Sequence, residues 1–569
     1  MLKSVRLFAL ITCAALAAQA QSAADPEINK RIRSEENDHS QIMHTMHFLT
    51  DIYGPRLTGS PNHKAAADWA IQQMKDWGLE NAHLEPWDFG HPGWMNLRAS
   101  GYIVSPIKDQ LTFKVLAWTP STKGTVTASV FQMVPPEKPK KEDLTKYLDS
   151  IKDKVKDKIV LVGKAEVVPV VIEVPARRLE DKAAAERFDP KNPNAGQFGP
   201  ARNARQQQPP EDPPGTLTGQ QINQQIDEFL VANHARMRIN DARMGNGRIR
   251  AFQNRTYDIT KTVPTVVLRN EDYGRIARIL ADGSAVNLEF NIQNKIYPEG
   301  KTSYNTIAEI PGTDRKEEVV MLGGHLDSWH SATGATDNAI GCAIMMEATR
   351  ILKSLGVKPR RTIRVALWSG EEEGLLGSQA YVKAHFGSFE EPKPEFTKLV
   401  AYFNVDSGTG RIRGASVFGP PQDADVLREV LLPFADLGVA GAISSKNRRA
   451  GGTDSSSFSQ AGLPGVGLGQ DPIEYFTDTW HTNIDTYERI IEDDVKRDAI
   501  IVAASVYQLA MRDDMLPRFT AADMPPKPAP PGAQPATAAG QTGGSPAQPA
   551  SGNGGAAPQE KAPVAPPKN

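Results

Sequence analysis

The chain has few cysteines, almost no net charge and no long apolar run beyond its first residues, and each absence excludes a class of protein. It holds 2 cysteines in 569 residues, and only Cys342 lies beyond residue 20, which excludes a disulfide-stapled scaffold. Lys and Arg total 65 against 67 Asp and Glu, a net charge of −2. We therefore expect no nucleic-acid partner bound through bulk charge and no transmembrane segment in the mature chain.

The first twenty residues have the pattern of a secretory signal peptide. Lys3 and Arg6 precede an apolar run over residues 7–18, and Ala18-Gln19-Ala20 has the small-residue pattern of a cleavage site. The run is too short to cross about 30 Å of hydrocarbon as a helical anchor. We therefore expect a signal peptide at 1–20, cleavage after Ala20, and a secreted or periplasmic protein.

The length predicts two structured domains with appendages, because one domain typically holds about 100 to 200 residues. Short β-type runs over 105–298 are interpreted as a β-rich domain inserted into the chain, with a low-complexity surface loop at 175–214. The flanking segments 21–104 and 299–515 would form the main domain. The tail at 516–569 becomes rich in Pro, Ala, Gly, Gln and Ser and is predicted to be disordered.

Strand and helix patterns alternate after residue 299. Strand-type runs at Val319–Gly323, Arg361–Ser369 and Leu399–Asp406 alternate with helical patterns at Ala339–Leu355 and Ile491–Met511. This alternation predicts an α/β fold with a mixed, largely parallel sheet and helices on both faces. In such a sheet, ligands bind in the crevice beyond the carboxyl ends of the strands.

Histidine and acidic side chains follow three of these strands. His325 and Asp327 come after the first, Glu371 and Glu372 after the second, and Asp406 ends the third. His, Asp and Glu are suitable zinc ligands, and two ions about 3.5 to 4 Å apart can share a water between them. Each pattern alone fits a solvated loop. Their joint occurrence at successive strand ends favours a metal site.

Six motifs resemble those of the co-catalytic dizinc exopeptidases, a family that includes aminopeptidases and glutamate carboxypeptidases. The motifs are Gly324–Trp329, Ala335–Ala339, Gly370–Ser378, Phe403–Ser407, Gly452–Ser455 and Trp480–Asp485, within a resemblance that covers about residues 28–515. Any one of them is weak evidence, whereas the set is specific. The resemblance implies the zinc exopeptidase fold, an inserted protease-associated domain, peptide substrates and two Zn²⁺ per chain.

The same resemblance assigns the metal ligands. It implies that Asp337 bridges the two ions, that Glu372 and His481 complete one zinc site, and that His325 and Asp406 complete the other. Glu371 is expected to act as the general base. Asp327 is expected to fix the tautomer of His325, a support that typically matters about 10- to 100-fold.

Several alternatives stay open at this point. A receptor-like binding protein that keeps the fold without catalysis is one, and a glutaminyl cyclase with a single zinc is another. The sequence does not distinguish an aminopeptidase from a carboxypeptidase, and it leaves a homodimer open. Tyr475 is either the phenol that stabilises the oxyanion or a packed loop tyrosine.

Overall fold

The computed structural model of the chain describes residues 26–172, 178–192, 195, 213–449 and 452–527. The predicted signal peptide, the remainder of the loop at 175–214 and the tail beyond residue 527 lie outside these described residues. Among the helices that are described, none has both the length and the hydropathy required to cross a membrane.

Two eight-stranded sheets form the framework of the described chain. The strands, in chain order, are β1 Glu80–Asp88, β2 Gly93–Ser105, β3 Asp109–Gln110, β4 Phe113–Val115, β5 Val126–Met133, β6 Ile159–Val162, β7 Met237–Asp241, β8 Thr265–Leu268, β9 Asn287–Tyr297, β10 Thr302–Ile310, β11 Arg315–His325, β12 Arg361–Trp368, β13 Leu399–Asn404, β14 Ile412–Phe418, β15 Gly441–Ser445 and β16 Gly465–Gln470. The α-helices are Pro26–His39, Ile42–His47, Pro61–Asp76, Lys141–Val155, Asp181–Arg187, Gly219–Ala232, Asn270–Ala281, Ile340–Ser354, Leu376–His385, Pro421–Leu431, Ser455–Ala461 and Glu492–Met511.

The first sheet has the order β1-β10-β12-β11-β13-β16-β14-β15. Strands β12, β11, β13 and β16 run parallel at its centre, and β14 pairs with β15 in parallel, whereas β1, β10 and the β14–β16 pair are antiparallel. The predicted α/β fold with a mixed, largely parallel sheet is confirmed. Three of these four central strands, β11, β12 and β13, lie where their apolar runs predict them.

Two helices that the apolar periodicity predicted form the centre of the core. Helix Ile340–Ser354 packs against helix Glu492–Met511, and both lie on the first sheet. Ile344 and Ile351 are fully buried, and burial of such a side chain contributes about 1.5 to 3 kcal/mol. The acidic residues in the first turn of the second helix complement the positive end of its dipole.

The second sheet has the order β3-β2-β9-β5-β6-β7-β8-β4. Its first strand along the chain is β2, which starts at Gly93. Strands β5 to β8 are parallel, and helices Lys141–Val155, Gly219–Ala232 and Asn270–Ala281 accompany them. The segment read from sequence as β-rich is therefore mixed α/β. Its assignment as a protease-associated domain stays a prediction.

Part of the loop predicted at 175–214 is folded against the first sheet instead of extending into solvent. It contains helix Asp181–Arg187, and Phe188 beyond it is only 2% exposed. A Cβ on Gly414 in β14 would come within 2.6 Å of the Phe188 ring, so only glycine permits this approach. The polar composition of the loop predicts exposure throughout, which is wrong for Phe188.

The first residues of the predicted tail also pack on this domain. Leu516 and Phe519 are buried, and the Phe519 ring lies 5.3 Å from that of Phe418. The guanidinium of Arg518 donates to the carbonyl oxygen of Phe396 at 2.6 Å. Residues 516–527 therefore belong to the packed part of the chain.

Candidate metal centre

The candidate ligands lie at the carboxyl ends of neighbouring parallel strands, as the sequence pattern predicts. His325 is the last residue of β11 and stands in register with Trp368 at the end of β12. Glu371 and Glu372 follow β12, and Asp406 follows β13. Because these strands are adjacent and parallel, residues far apart in sequence reach the same edge of the sheet.

Asp337 lies on the irregular turn Ala335–Ala339, which leads into the central helix Ile340–Ser354. The carboxylate of Asp485 holds this turn, because it accepts hydrogen bonds from the backbone N–H groups of Thr336 at 2.6 Å and Asp337 at 3.1 Å. The backbone of the turn is thus fixed from the loop that also carries His481.

The Asp337 carboxylate faces two histidines at once. Its Oδ1 lies 3.3 Å from Nε2 of His325, and its Oδ2 lies 3.3 Å from Nε2 of His481. The His481 Nε2 also lies 3.0 Å from Oε2 of Glu372, and the His325 Nε2 lies 3.5 Å from Oδ1 of Asp406. All five side chains predicted as ligands therefore converge on one place.

Two groups of donor atoms within this cluster have the spacing of a metal site. One comprises His325, Asp337 and Glu372, the other His325, Glu371 and Asp406, and the donor atoms of each group lie within 4.8 Å of one another. Glu371 thus lies beside the candidate ligands His325 and Asp406, where it could act either as a further ligand or as a base.

Whether a metal fits this cluster depends on its unpaired donor atoms and on the charge around them. The buried Nε2 of His325, Oδ2 of Asp337 and Oε1 of Glu372 have no hydrogen-bond partner in the described structure. Burial raises the pKa of Glu371 and of Glu372 well above the usual range, and burial lowers the pKa of His481 to about 4. Nitrogen and oxygen donors with unused lone pairs among buried acids fit a divalent cation such as zinc.

Asp327 supports the centre in a different way from the one expected. The Nδ1 of His325 lies 3.0 Å from the backbone carbonyl oxygen of Asp327 and 3.7 Å from the carboxylate. The carboxylate instead accepts hydrogen bonds from the backbone N–H groups of Glu371 and Glu372 and from the Thr58 hydroxyl, at 3.1 to 3.3 Å. The carbonyl is the nearer partner of the imidazole, and the carboxylate fixes the loop that carries both glutamates.

The sequence leaves the role of Tyr475 open and predicts no role for Asp485, and both side chains lie at the site. The Tyr475 hydroxyl donates to Oδ1 of Asp406 at 3.1 Å, so this tyrosine lies at the centre. Asp485, which holds the Asp337 turn, was part of a motif, but an acid that binds only backbone N–H groups has no spacing signature. Only its place four residues after His481 pointed to the site.

A segment that follows β7 in the chain, residues 249–254, forms one wall of the site. The Phe252 ring lies 5.4 Å from the ring of His481 and 5.1 Å from that of Trp329. The Ala251 N–H donates to the Ser331 hydroxyl at 3.2 Å. No motif predicts this wall, because residues 249–254 lie far along the chain from every candidate ligand.

Comparison with known proteins gives one family and several relatives. Residues 305–506 match the profile of Peptidase family M28. Carboxypeptidase Q of Mus musculus is 27% identical over 471 residues, which are 83% of this chain and 86% of that protein. A peptidase M28 precursor from Shewanella amazonensis SB2B is 24% identical with a TM-score of 0.60, over 87% of this chain and 98% of that one. BSAP, a zinc aminopeptidase from Bacillus subtilis, is 17% identical with a TM-score of 0.50, over 82% and 94%.

Proposed function

We propose that this chain, a zinc exopeptidase of Peptidase family M28 by its residues 305–506, hydrolyses terminal peptide bonds with two Zn²⁺ at the cluster around Asp337. The resemblance to zinc exopeptidases seen in its motifs is confirmed by that match. The number of ions, the ligand set and the role of each residue are the proposal. The observation that carries it is the Asp337 carboxylate, which lies 3.3 Å from each of two histidines.

The ligands divide between two ions in the proposal. Asp337 would be shared by both ions, His481 and Glu372 would hold one, and His325 and Asp406 would hold the other. This division follows the measured contacts, since His481 lies near Glu372 and His325 lies near Asp406. Zinc held by these residues would supply Lewis-acid chemistry, which lowers the pKa of water from about 15.7 to about 7.

The proton transfers fall to Glu371. Its carboxylate stands beside His325 and Asp406, within reach of a nucleophile placed between the ligands. It takes the proton from the attacking water and delivers it to the leaving amine. Asp327 keeps this carboxylate in place through its hydrogen bond with the Glu371 N–H.

Stabilisation of the oxyanion is proposed for Tyr475. Its buried hydroxyl already donates to Asp406, so it needs only to rotate toward a developing negative charge near that ligand. Its burial also keeps the phenol protonated, because desolvation raises its pKa well above the usual value. The alternative is a tyrosine that only orients Asp406.

Metal stoichiometry combined with product analysis on a mixed peptide pool tests the function. We expect two zinc ions per chain and release of single residues. A protein without zinc and without hydrolysis would favour the receptor-like alternative. One zinc with cyclisation of N-terminal glutamine would identify a cyclase instead.

The end preference is decided by a second panel, in which each peptide is blocked at one terminus. Loss of cleavage on N-terminal acetylation would indicate an aminopeptidase, or a dipeptidase that needs a free amine. Loss of cleavage on C-terminal amidation would indicate carboxypeptidase action. The relatives in hand include both kinds by name.

We also propose that the protein is exported, on the signal-peptide pattern of residues 1–20. N-terminal sequencing of the mature protein tests this, with Gln21 as the expected first residue. A mature chain that still begins at Met1 would contradict it.

A further inference from the structure

Arg56 is a fully buried cation on the loop that precedes helix Pro61–Asp76. Its guanidinium forms no ion pair with any described residue and donates instead to four backbone carbonyl groups. Burial of a charged group without an acidic partner is costly, so these four hydrogen bonds have to account for its position.

The four carbonyl groups come from three stretches of the chain. The Nε of Arg56 donates to the carbonyl oxygen of Leu326 at 2.7 Å, and Nη2 donates to that of Gly334 at 2.9 Å. Nη1 donates to the carbonyl oxygens of Leu49 at 2.6 Å and Thr333 at 2.7 Å. A guanidinium has five N–H donors, and four of them are used here.

Two of these stretches carry candidate metal ligands. Leu326 directly follows His325, the last residue of β11, and Gly334 directly precedes the turn Ala335–Ala339, on which Asp337 lies. The two carbonyl groups are bound by nitrogen atoms of one rigid, planar guanidinium, so their separation is fixed. The guanidinium therefore sets the distance between the segments that carry the two ligands.

The backbone of Arg56 makes a second connection to these segments, through Ser328. The Arg56 N–H donates to the Ser328 hydroxyl at 3.1 Å, and the Ser328 N–H donates to the Arg56 carbonyl at 3.2 Å. Gly334 has a left-handed conformation with φ of 64°, and a Cβ there would lie 2.3 Å from the Cβ of Ser328. The two ligand-bearing segments are thus packed on each other and bound to Arg56.

Arg361 offers a comparison at the opposite end of the same sheet. It is also fully buried, and it forms an ion pair with Glu318. It donates to three backbone carbonyl groups, those of Leu509, Arg512 and Asp513. Arg361 is the first residue of β12, whereas Glu372 follows the last residue of that strand. The chain therefore contains a second buried arginine with the same kind of bonds, away from the metal centre.

We infer that Arg56 is a positioning residue of the metal centre, which holds His325 and Asp337 at the separation required by the ion proposed at His325 and Asp406. This inference rests on the proposed function and adds to it a residue outside the stretch 305–506, on which one of the two ions depends. None of the hydrogen bonds of Arg56 reaches the loops of the other two ligands. The second ion should therefore depend on Arg56 less.

Zinc calorimetry in two single-ion backgrounds tests this difference. Glu372→Gln should leave only the ion at His325 and Asp406, and Asp406→Asn only the other ion. We expect Arg56→Lys to raise the zinc Kd about 10- to 100-fold in the Glu372→Gln background, as for loss of a group that orients metal ligands, and to raise it less in the other. Lysine keeps the charge but has one nitrogen and three donors, so it cannot hold all four carbonyl groups. An equal rise in both backgrounds, or no rise in the first, would overturn the inference.

Arg361→Lys is the matched control for the loss of a buried arginine. We expect it to lower Tm, as Arg56→Lys does, and to leave the zinc Kd unchanged in both backgrounds. Equal losses of zinc affinity in the two lysine variants would show that stability alone is at work, which would overturn the inference. If Arg56→Lys does not fold, Ser328→Ala removes one hydrogen bond to Arg56 and should raise the Kd in the Glu372→Gln background by a smaller factor. An unchanged Kd in that variant would then count against Arg56.

Hydrogen–deuterium exchange of the metal-free, full-length protein keeps this inference separate from the proposed function. In Arg56→Lys the amides of residues 326–339 should exchange faster than in wild type, whereas those of residues 477–485 should be unchanged. If the wild type binds no zinc, the proposed function fails, yet this exchange pattern would still support Arg56 as the residue that positions the two segments. Unchanged exchange over residues 326–339 would overturn the inference in either case.

Discussion

Two buried acidic clusters lie in the domain of the first sheet, and among the described residues only one of them is paired with arginines. In the first, which we call the Asp471 cluster, Asp471 is fully buried and lies 3.3 Å from both Arg178 and Arg411, and Arg178 also lies 2.6 Å from Asp494. In the second, the candidate metal centre, the described residues place no Lys or Arg within ion-pair distance of Asp337, Glu371 or Glu372.

This difference in cation partners separates a structural cluster of buried acids from the cluster for which we propose zinc. The Asp471 cluster carries its own cations, so its charges were balanced when the chain folded. The metal centre offers histidine nitrogens and carboxylate oxygens without a balancing charge. The number of acidic residues does not distinguish the two clusters. The side chains beside the acids do, arginines in one cluster and histidines in the other.

Replacing Glu371 should have the largest effect on activity, and it changes only the second of the two clusters. We expect Glu371→Gln to lower kcat about 10²- to 10⁴-fold, because the general base is lost. Zinc content should stay at the wild-type level, since the ligands remain. Steady-state kinetics and metal analysis measure both. Glu391→Gln, at an exposed glutamate, serves as the control, and full activity of Glu371→Gln would exclude this base.

Zinc itself should stabilise only one of the two clusters. Adding zinc at about 100 times its Kd to the metal-free protein should raise stability by about 2.7 kcal/mol per site, and Asp337→Asn should remove most of this gain. Asp471→Asn should destabilise by about 1.5 to 3 kcal/mol with or without zinc, because it removes the buried carboxylate that Arg178 and Arg411 share. Thermal unfolding with and without zinc measures this. Loss of the zinc-dependent gain in Asp471→Asn would contradict the separation.

A third kind of buried acid gives the smallest expected effect. Asp423, on helix Pro421–Leu431, is fully buried, its carboxylate accepts no hydrogen bond from any described residue, and burial raises its pKa to about 8, against the opposing charge of Arg518. The folded state therefore binds this proton more tightly than the unfolded state, so its contribution to stability is complete below about pH 4 and is lost as the pH rises toward about 8.

We expect Asp423→Asn to flatten this decline. Its Tm should exceed that of wild type at about pH 8.5 and approach it near about pH 4, where the native carboxyl is already neutral. Asp425→Asn, two residues further on the same helix and 66% exposed, is the matched control. A Tm difference that is the same at both pH values would show that the Asp423 charge does not limit stability.

Much of the first sheet and its helices could be predicted from sequence, because the pattern there is strong. The apolar spacing of Ile340–Ser354 and of Glu492–Met511 matches the structure within one or two residues. The strand ends were predictable for the same reason, and they bring the candidate ligands together. The roles of those ligands remain predictions until zinc is measured.

The helices of the second sheet and the wall formed by residues 249–254 could not be predicted from the sequence. Strands β6, β7 and β8 of that sheet are short, and helix Gly219–Ala232 follows a polar stretch that suggested only a loop. The hydrogen bonds of Asp327 depend on which atom of the residue faces His325. Spacing along the chain carries no information on that choice.

Residues 249–254 have one further consequence. The segment lies before residues 305–506, which match the profile of Peptidase family M28, yet it contacts His481 and Trp329. The surface beside His481 is thus supplied by a part of the chain that carries none of the candidate ligands. Replacing residues 249–254 would change that surface and leave all five candidate ligands in place.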